Sequence, residues 1–172
     1  MTSQMSQRGG VGMEFDDYRQ IERLIYLYPY YLDDGRFAEM GELFADADVY
    51  VGPELVAHHD AAAVAELWAR YVRVHPNGTP RTHHIATNVI IEDDGPGRAR
   101  AHSYILVMQH VEGFPLQPIT AGDYLDRFAL TGGNWRFTER RVGNDLFGDM
   151  SRHLLEPMDT SGYIRPQRWE RA

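Results

Sequence analysis

The chain has 172 residues, of which 43% are hydrophobic, and this fits a single domain with its own core. Its formal net charge of −8 argues against a nucleic-acid partner, because a phosphate backbone is bound by clustered basic side chains. The sequence contains no cysteine, which excludes thiol nucleophiles, disulfides and cysteine-ligated metals.

The first 13 residues are polar and rich in glycine, and they predict a disordered N-terminal tail. They lack the apolar stretch of a signal peptide. No apolar run elsewhere approaches the roughly 20 residues that span a bilayer. We therefore expect a cytoplasmic protein with no membrane partner.

Three helices are predicted in the first half of the chain, from apolar side chains that recur at helical spacing. The first covers residues 15–32 and ends at the turn Asp33-Asp34-Gly35, where glycine favours a left-handed stop. The second covers residues 36–44 and the third covers residues 60–74. A short strand is predicted between them, at residues 49–51.

Four longer strands are predicted in the second half, at residues 85–92, 98–111, 119–130 and 135–142. The last two read as an antiparallel hairpin, because the turn between them contains two glycines. The remaining tail shows no clean period.

Helices followed by strands indicate an α+β domain. We predict a cone-shaped α+β barrel over residues 14–145, in which a curved antiparallel sheet wraps around the three N-terminal helices. Residues 146–172 are interpreted as a C-terminal extension that wraps over the domain or reaches a partner subunit.

Several local strings, in this order and spacing, resemble the SnoaL-like branch of the nuclear transport factor 2-like superfamily. That branch includes scytalone dehydratase-like and polyketide cyclase-like proteins. The strings are YYLDDGRF at residues 30–37, ELFADA at 42–47, THHIATN at 82–88, GDYLDRF at 122–128 and NWRF at 134–137.

The resemblance implies the central residues of a site. In dehydratase-like members an Asp at the end of the first helix pairs with a His on the first long strand, which implies Asp33 and His84. A tyrosine often lies near this Asp, and Tyr30 or Tyr31 matches that place. A second His of scytalone dehydratase-like pockets falls at or next to His110.

A His and a carboxylate in contact form an acid–base pair, because the carboxylate fixes the ring tautomer and stabilises the imidazolium. Such a pair can remove a proton next to a carbonyl group. No cofactor and no metal is expected. The catalytic candidates are Asp33, His84 and Tyr30. The side chains predicted to bind substrate are Tyr50, Trp68, Asn88, Tyr104 and His110.

The resemblance therefore implies a cofactor-independent dehydratase or other lyase, an isomerase or a cyclase. Its substrate would be a small hydrophobic molecule, polycyclic or aromatic, and its assembly a homodimer or homotrimer. The alternative is a non-catalytic ligand binder, or an accessory subunit similar to the β subunit of ring-hydroxylating dioxygenases. In that case we expect a pocket that is collapsed or that lacks contact between Asp33 and His84.

Structural interpretations compete with these roles. Asp33 could simply end a helix, and His84 could be a buried histidine bonded to backbone. His58-His59 with Asp60 has the chemistry of a metal cluster, but adjacent residues are poor co-ligands on a regular element, so we expect a loop or helix-start role. A basic cluster on the last strand is interpreted as a solvated face with ion pairs. Its members are Arg136, Arg140 and Arg141.

Overall fold

A computed structural model describes residues 12–160. Most of the predicted N-terminal tail and the end of the predicted C-terminal extension therefore lie outside the described residues. The described part contains three helices and six strands. In chain order these are α1 (Phe15–Asp33), α2 (Phe37–Glu42), β1 (Asp48–Val51), β2 (Glu54–His58), α3 (Ala61–Tyr71), β3 (Thr82–Asp93), β4 (Arg98–Val111), β5 (Phe114–Thr131) and β6 (Asn134–Phe147).

The predicted α+β fold is confirmed, with helices at the N-terminal end and a sheet of order β2-β1-β6-β5-β4-β3. Three details differ from the prediction. The sheet is open at β2 and β3 rather than closed, and β1 pairs with β6 in parallel, so the sheet is not wholly antiparallel. Strand β2 was not predicted, because its apolar run is only three residues long, at 55–57, and shows no alternation.

Helix α1 is placed by one apolar stripe and by its first turn. Ile21 and Ile25 are fully buried on this stripe. The helix begins with a capping box between Glu14 and Asp17, which satisfies backbone N–H groups of the first turn. Asp17 is itself buried and accepts a hydrogen bond from the indole N–H of Trp135 at 2.9 Å. These contacts fix the start of α1 on β6. The other end of α1 therefore lies near the β3 edge of the sheet.

Strand alternation in β4 divides the sheet into two faces. Ile105 and Val107 are buried and face the helices, whereas Tyr104 and Leu106 are half-buried on the opposite face. The pairing of β3 with β4 shifts register between Thr87 and Ile90, and such a bulge bends a sheet. The helix-facing side of the sheet is therefore concave.

A buried ion pair lies beneath α1. Arg140 on β6 is fully buried, and its Nε and one Nη donate to the two carboxylate oxygens of Asp126, both at 2.7 Å. Its guanidinium carbon lies 4.4–5.3 Å from four ring centroids, those of Tyr124, Tyr28, Phe137 and Phe44. The prediction of a solvated basic face is wrong for Arg140. The pairing of β5 with β6 shifts register between Phe137 and Glu139, and this shift reverses the strand alternation and turns Arg140 inward.

The other two members of that cluster form ion pairs as predicted. Arg136 reaches Asp46 at 3.4 Å, and Arg141 reaches Glu139 at 2.9 Å.

The segment after β6 folds back over the helices. Leu154 forms an isolated antiparallel bridge with Val72, and the backbone N–H of Arg73 donates to the carbonyl of His153 at 2.7 Å. The predicted domain limit at residue 145 stays a prediction, although β6 continues to Phe147. Among residues 12–160 no helix combines the length and the apolar character needed to cross a membrane.

Candidate active site

A cavity of about 580 Å³ lies between the concave face of the sheet and the helices. This volume falls in the usual range for small-molecule sites. Apolar and aromatic side chains form most of its wall, including Leu32 from α1, Trp68 from α3 and Val107 from β4. The segment after β6 adds Met150, His153, Leu154, Met158 and Asp159.

Asp33 and His84 are in direct contact at this cavity. Nδ1 of His84 lies 2.6 Å from Oδ1 of Asp33. The two side chains are 6% and 16% exposed, so water screens the contact only weakly. His84 is part of the cavity wall. Because Nδ1 is engaged by the carboxylate, Nε2 is the ring nitrogen left for a ligand.

Three hydrogen bonds hold the Asp33 carboxylate. Besides the ring of His84, Oδ1 accepts the hydroxyl of Thr82 at 2.7 Å, and Oδ2 accepts the backbone N–H of His84 at 2.8 Å. Burial alone would raise the pKa of Asp33, but the hydrogen bonds and charge of His84 and the hydroxyl of Thr82 lower it below its usual value. Asp33 is therefore a carboxylate at neutral pH.

The chain brings this pair together at the end of α1. Gly35 has a φ of 71°, and a Cβ at this position would lie 2.6 Å from the carbonyl oxygen of Gly78. Only glycine allows the turn and the close approach together. Because β3 is the edge strand, the backbone N–H of His84 is free to donate to Asp33 rather than to another strand.

A second buried histidine lies beside the pair. The ring of His153 is centred 6.2 Å from that of His84, and it lines the same cavity. Burial, followed by the nearby charge of His84, lowers the pKa of His153 to about 3. His153 is therefore neutral at physiological pH and offers hydrogen bonding rather than charge.

Two phenols are part of the wall of the same cavity. Tyr28 and Tyr124 are almost fully buried, and their rings meet edge to face with centroids 5.6 Å apart. Burial raises the pKa of Tyr28 to about 12 despite the opposing charge of Arg140, and burial raises the pKa of Tyr124 as well. Both phenols stay protonated and remain hydrogen-bond donors at neutral pH.

The structure brings some of the predicted site residues to the cavity. His84 and Trp68 line it, and Asp33 contacts His84 without being part of the wall. Tyr30 does not reach it: its side chain is 71% exposed, and two residues along a helix turn it about 200° away from Tyr28. Catalysis by Tyr30 in this cavity is therefore not supported by its position.

The other predicted binding residues also lie outside the cavity wall. Tyr50 packs under the guanidinium of Arg141, whose central carbon is 3.9 Å from the ring centroid. Asn88 is exposed at the bulge of β3 with a φ of 52°. Tyr104 packs against His102 on the opposite sheet face, by strand alternation. His110 is exposed and contacts Arg81.

Sequence reasoning missed the roles of His153, Tyr28 and Tyr124. Tyr28 belongs to the apolar stripe of α1, which signals burial but not a cavity. Tyr124 has the strand parity of an inward residue. His153 lies in a segment without periodicity, so no local pattern could place it. Among residues 12–160, the one grouping with metal-ligand spacing lies outside this cavity and consists of Asp48, His58 and His59.

Residues 13–141 match the SnoaL-like domain family, which is more than half of the chain. No curated protein matches the chain in sequence.

Solved structures share the architecture. A proposed scytalone dehydratase from Novosphingobium aromaticivorans is 22% identical with a TM-score of 0.65, over 90% of this chain and 96% of that one. A nuclear transport factor 2-like protein with a cystatin-like fold from the same organism is 23% identical with a TM-score of 0.63, over 76% and 82%. The β subunit of a proposed aromatic-ring-hydroxylating dioxygenase, again from that organism, is 22% identical with a TM-score of 0.59, over 78% and 94%. At these identities the likeness shows the fold alone.

Proposed function

The chain belongs to the SnoaL-like domain family, and from that membership we propose that it is a cofactor-independent acid–base enzyme. The proposed reaction class is that of a dehydratase or other lyase, an isomerase or a cyclase. The observation that carries the proposal is the contact between His84 and Asp33 at 2.6 Å in the wall of a mostly apolar cavity.

In the proposed reaction His84 is the base. Its Nε2 takes a proton from a carbon next to a carbonyl group of the substrate, the C–H bond breaks, and its electron pair moves into an enolate. The Asp33 carboxylate stabilises the imidazolium that forms. His84 then returns the proton. It goes to a departing hydroxyl in a dehydration, which releases water, or to another carbon in an isomerisation.

The developing enolate oxygen needs a hydrogen-bond donor. Tyr28 and Tyr124 suit this task, because their high pKa keeps them protonated and they line the wall of the same cavity as His84. The neutral ring of His153 is a further donor or acceptor beside His84. In a mostly apolar cavity such hydrogen bonds stabilise charge more than they do in solvent.

The cavity favours a small hydrophobic, aromatic or polycyclic substrate. Trp68, Tyr28 and Tyr124 supply aromatic faces, and aliphatic side chains such as Leu32, Ile105 and Val107 fill much of the remaining wall. A substrate of this class would displace water from both histidines as it enters.

Contact between the two side chains also favours the enzyme over the non-catalytic alternative. A binder or accessory subunit has no need for a buried carboxylate that fixes the tautomer of a cavity histidine. The distance of 2.6 Å supports the catalytic proposal, whereas a separation beyond about 6 Å without a bridging water would have supported the binder.

The test compares His84→Ala with His83→Ala. A panel of small hydrophobic hydroxy-ketones and aromatic ketones is first screened by thermal shift, and ligands that stabilise the protein are then assayed for turnover. We expect His84→Ala to lower kcat by roughly 10²–10⁴-fold. His83 is exposed on the neighbouring position of β3 and should be dispensable. Wild-type turnover in His84→Ala on an identified substrate would contradict the proposal.

We also propose that the protein works as a homo-oligomer. One row of apolar residues crosses four strands on the face opposite the cavity, through Ile85, Leu106, Ala121 and Leu146. Ile85 and Leu146 at its ends are 44% and 61% exposed. A second copy could cover this row. A light-scattering mass near the 19.7 kDa of one chain would contradict this part of the proposal.

A further inference from the structure

Two adjacent histidines and an aspartate meet on the β1–β2 hairpin, outside the cavity. Nδ1 of His58 lies 2.6 Å from Oδ1 of Asp48, and Nε2 of His59 lies 3.9 Å from the same oxygen. Each of the three residues offers one ligand atom, and these atoms lie within 4.8 Å of one another. The cluster therefore places two imidazoles and one carboxylate close enough to bind one ion together.

The backbone explains how neighbouring residues reach the same side. On a regular strand His58 and His59 would point to opposite faces. Strand β2 ends at His58, and His59 adopts a left-handed φ of 48°, which breaks the alternation. As a result the two imidazole rings lie side by side, with centroids 4.5 Å apart and planes 35° from parallel.

The three side chains stand on a fixed backbone. Asp48 and His58 are direct partners in the pairing of β1 with β2, and the N–H of His59 donates to the carbonyl of the buried Ala47 at 3.0 Å. The next residue, Asp60, caps α3 by accepting the N–H of Ala63 at 2.9 Å. The backbone around the ligand atoms is therefore held from both sides before any ion arrives.

We propose that Asp48, His58 and His59 bind a divalent transition-metal ion such as Zn²⁺. Imidazole and carboxylate groups are common ligands of zinc, which they bind at about 2.0–2.2 Å. Three protein ligands leave further coordination positions for water. With side-chain exposures of 71% for His58, 55% for His59 and 30% for Asp48, an ion reaches the site directly from solvent.

Small side-chain rotations complete the geometry. With bonds of about 2.1 Å, ligand atoms in a tetrahedral site lie roughly 3.4 Å apart. The contact of His58 with Asp48 must therefore widen and that of His59 with Asp48 must shorten, each by less than 1 Å. The ligand nitrogens of His58 and His59, which lie within 4.8 Å of each other, must reach the same separation. The ion would then link the β1–β2 hairpin to the residue that precedes the cap of α3.

The experiment titrates the tag-free protein with ZnCl₂ by calorimetry, in three forms. These are the wild type, His58→Gln with His59→Gln, and the matched double variant His83→Gln with His110→Gln at two exposed histidines outside the cluster. We expect one ion per chain in the wild type and in the matched control. The affinity should fall about tenfold or more in the His58 and His59 variant.

A second measurement uses only the wild type, so it does not depend on the folding of a variant. Side-chain ¹⁵N resonances of His58 and His59 should shift on addition of ZnCl₂. In a third measurement, Co²⁺ should give an absorption band with the wild type that Asp48→Asn weakens. Absence of binding would overturn the proposal. So would equal affinities in the two double variants, or zinc-dependent shifts confined to other histidines.

Discussion

Two histidine–aspartate pairs in this chain have the same chemistry and different surroundings. His84 contacts Asp33 where β3 meets the end of α1, in the wall of the cavity. His102 contacts Asp123 between β4 and β5, with side chains 17% and 1% exposed, on the opposite face of the sheet. Both pairs are shielded from water. His84 lines the cavity, whereas neither His102 nor Asp123 is part of its wall.

The difference shows that a buried His–Asp contact is not itself a mark of catalysis. Strand parity decides which side of the sheet each histidine faces, and the cavity lies on one side only. The pair of His102 and Asp123 serves as an internal reference, because it has the same His–Asp contact but does not line the cavity. Variants of the two pairs can therefore separate chemistry from stability.

The largest expected effect comes from exchanging each carboxylate for an amide. Asp33→Asn should lower kcat by about 10³-fold, since the amide neither stabilises an imidazolium nor fixes the same ring tautomer. Asp123→Asn should leave kcat within about threefold of the wild type, because nothing at that pair reaches substrate. Steady-state kinetics on an identified substrate measures both, with light scattering to follow association. Equal losses in the two variants would remove the distinction between the pairs.

A third carboxylate, that of Asp126, tests how much a fully buried ion pair contributes to the free energy of unfolding. Asp126→Asn leaves the guanidinium of Arg140 buried without its counter-charge, and we expect a loss of about 3–5 kcal/mol in the free energy of unfolding. Urea unfolding followed by tryptophan fluorescence measures the change. The matched variant Asp123→Asn should lose less, because the side chain of its partner His102 is 17% exposed, against 1% for Arg140. A loss below about 1 kcal/mol in Asp126→Asn would show that this ion pair is not a main support of the core.

These pairs also show how far the sequence could lead. The order of helices and strands predicted the fold, and the resemblance implied the partners Asp33 and His84. The prediction named Tyr30 as the site tyrosine, whereas the structure places Tyr28 at the cavity. The two lie on nearly opposite sides of α1, so an error of helix phase explains the difference. Tyr104 was predicted to bind substrate but lies on the opposite face of the sheet. Nothing in the local sequence decides whether Tyr104 or Ile105 faces inward.

The remaining differences have a tertiary origin. His153 reaches the cavity because the backbone after β6 pairs with Val72 and Arg73, and no pattern within residues 146–160 encodes that long-range contact. The buried Arg140 could not be foreseen, because its burial depends on Asp126 from β5 and on rings from α1, the α2 end and β6.

An effect of intermediate size is expected for His153, which should make the free energy of unfolding depend on pH. The pKa of His153 in the folded state, about 3, lies below its usual 6.5. Between these two pH values the unfolded state is protonated at His153 and the folded state is not. The stabilisation from the neutral ring is fully present above about pH 6.5. It is lost as pH falls toward 3, at up to about 1.4 kcal/mol per pH unit.

The measurement is urea unfolding of the wild type and His153→Phe at pH 7, 6 and 5. The wild type should lose about 2 kcal/mol more than the variant over this range. Asp33, His84 and His75 also act on this ring, and they remain in both proteins, so the difference isolates His153. Parallel pH profiles would contradict the assignment of a neutral, buried His153.

The smallest expected effect concerns the support of Asp33. Thr82→Val removes one of three hydrogen bonds to the carboxylate, and it should cost about 1 kcal/mol of stability. Because the ring and backbone of His84 still hold Asp33, kcat should fall only about threefold to tenfold. Thr87→Val, on the exposed face of the same strand, is the matched control and should change neither quantity. If Thr82→Val instead lost as much turnover as Asp33→Asn, the carboxylate would depend on Thr82 for its position. The two hydrogen bonds from His84 would then not suffice to hold the cavity pair.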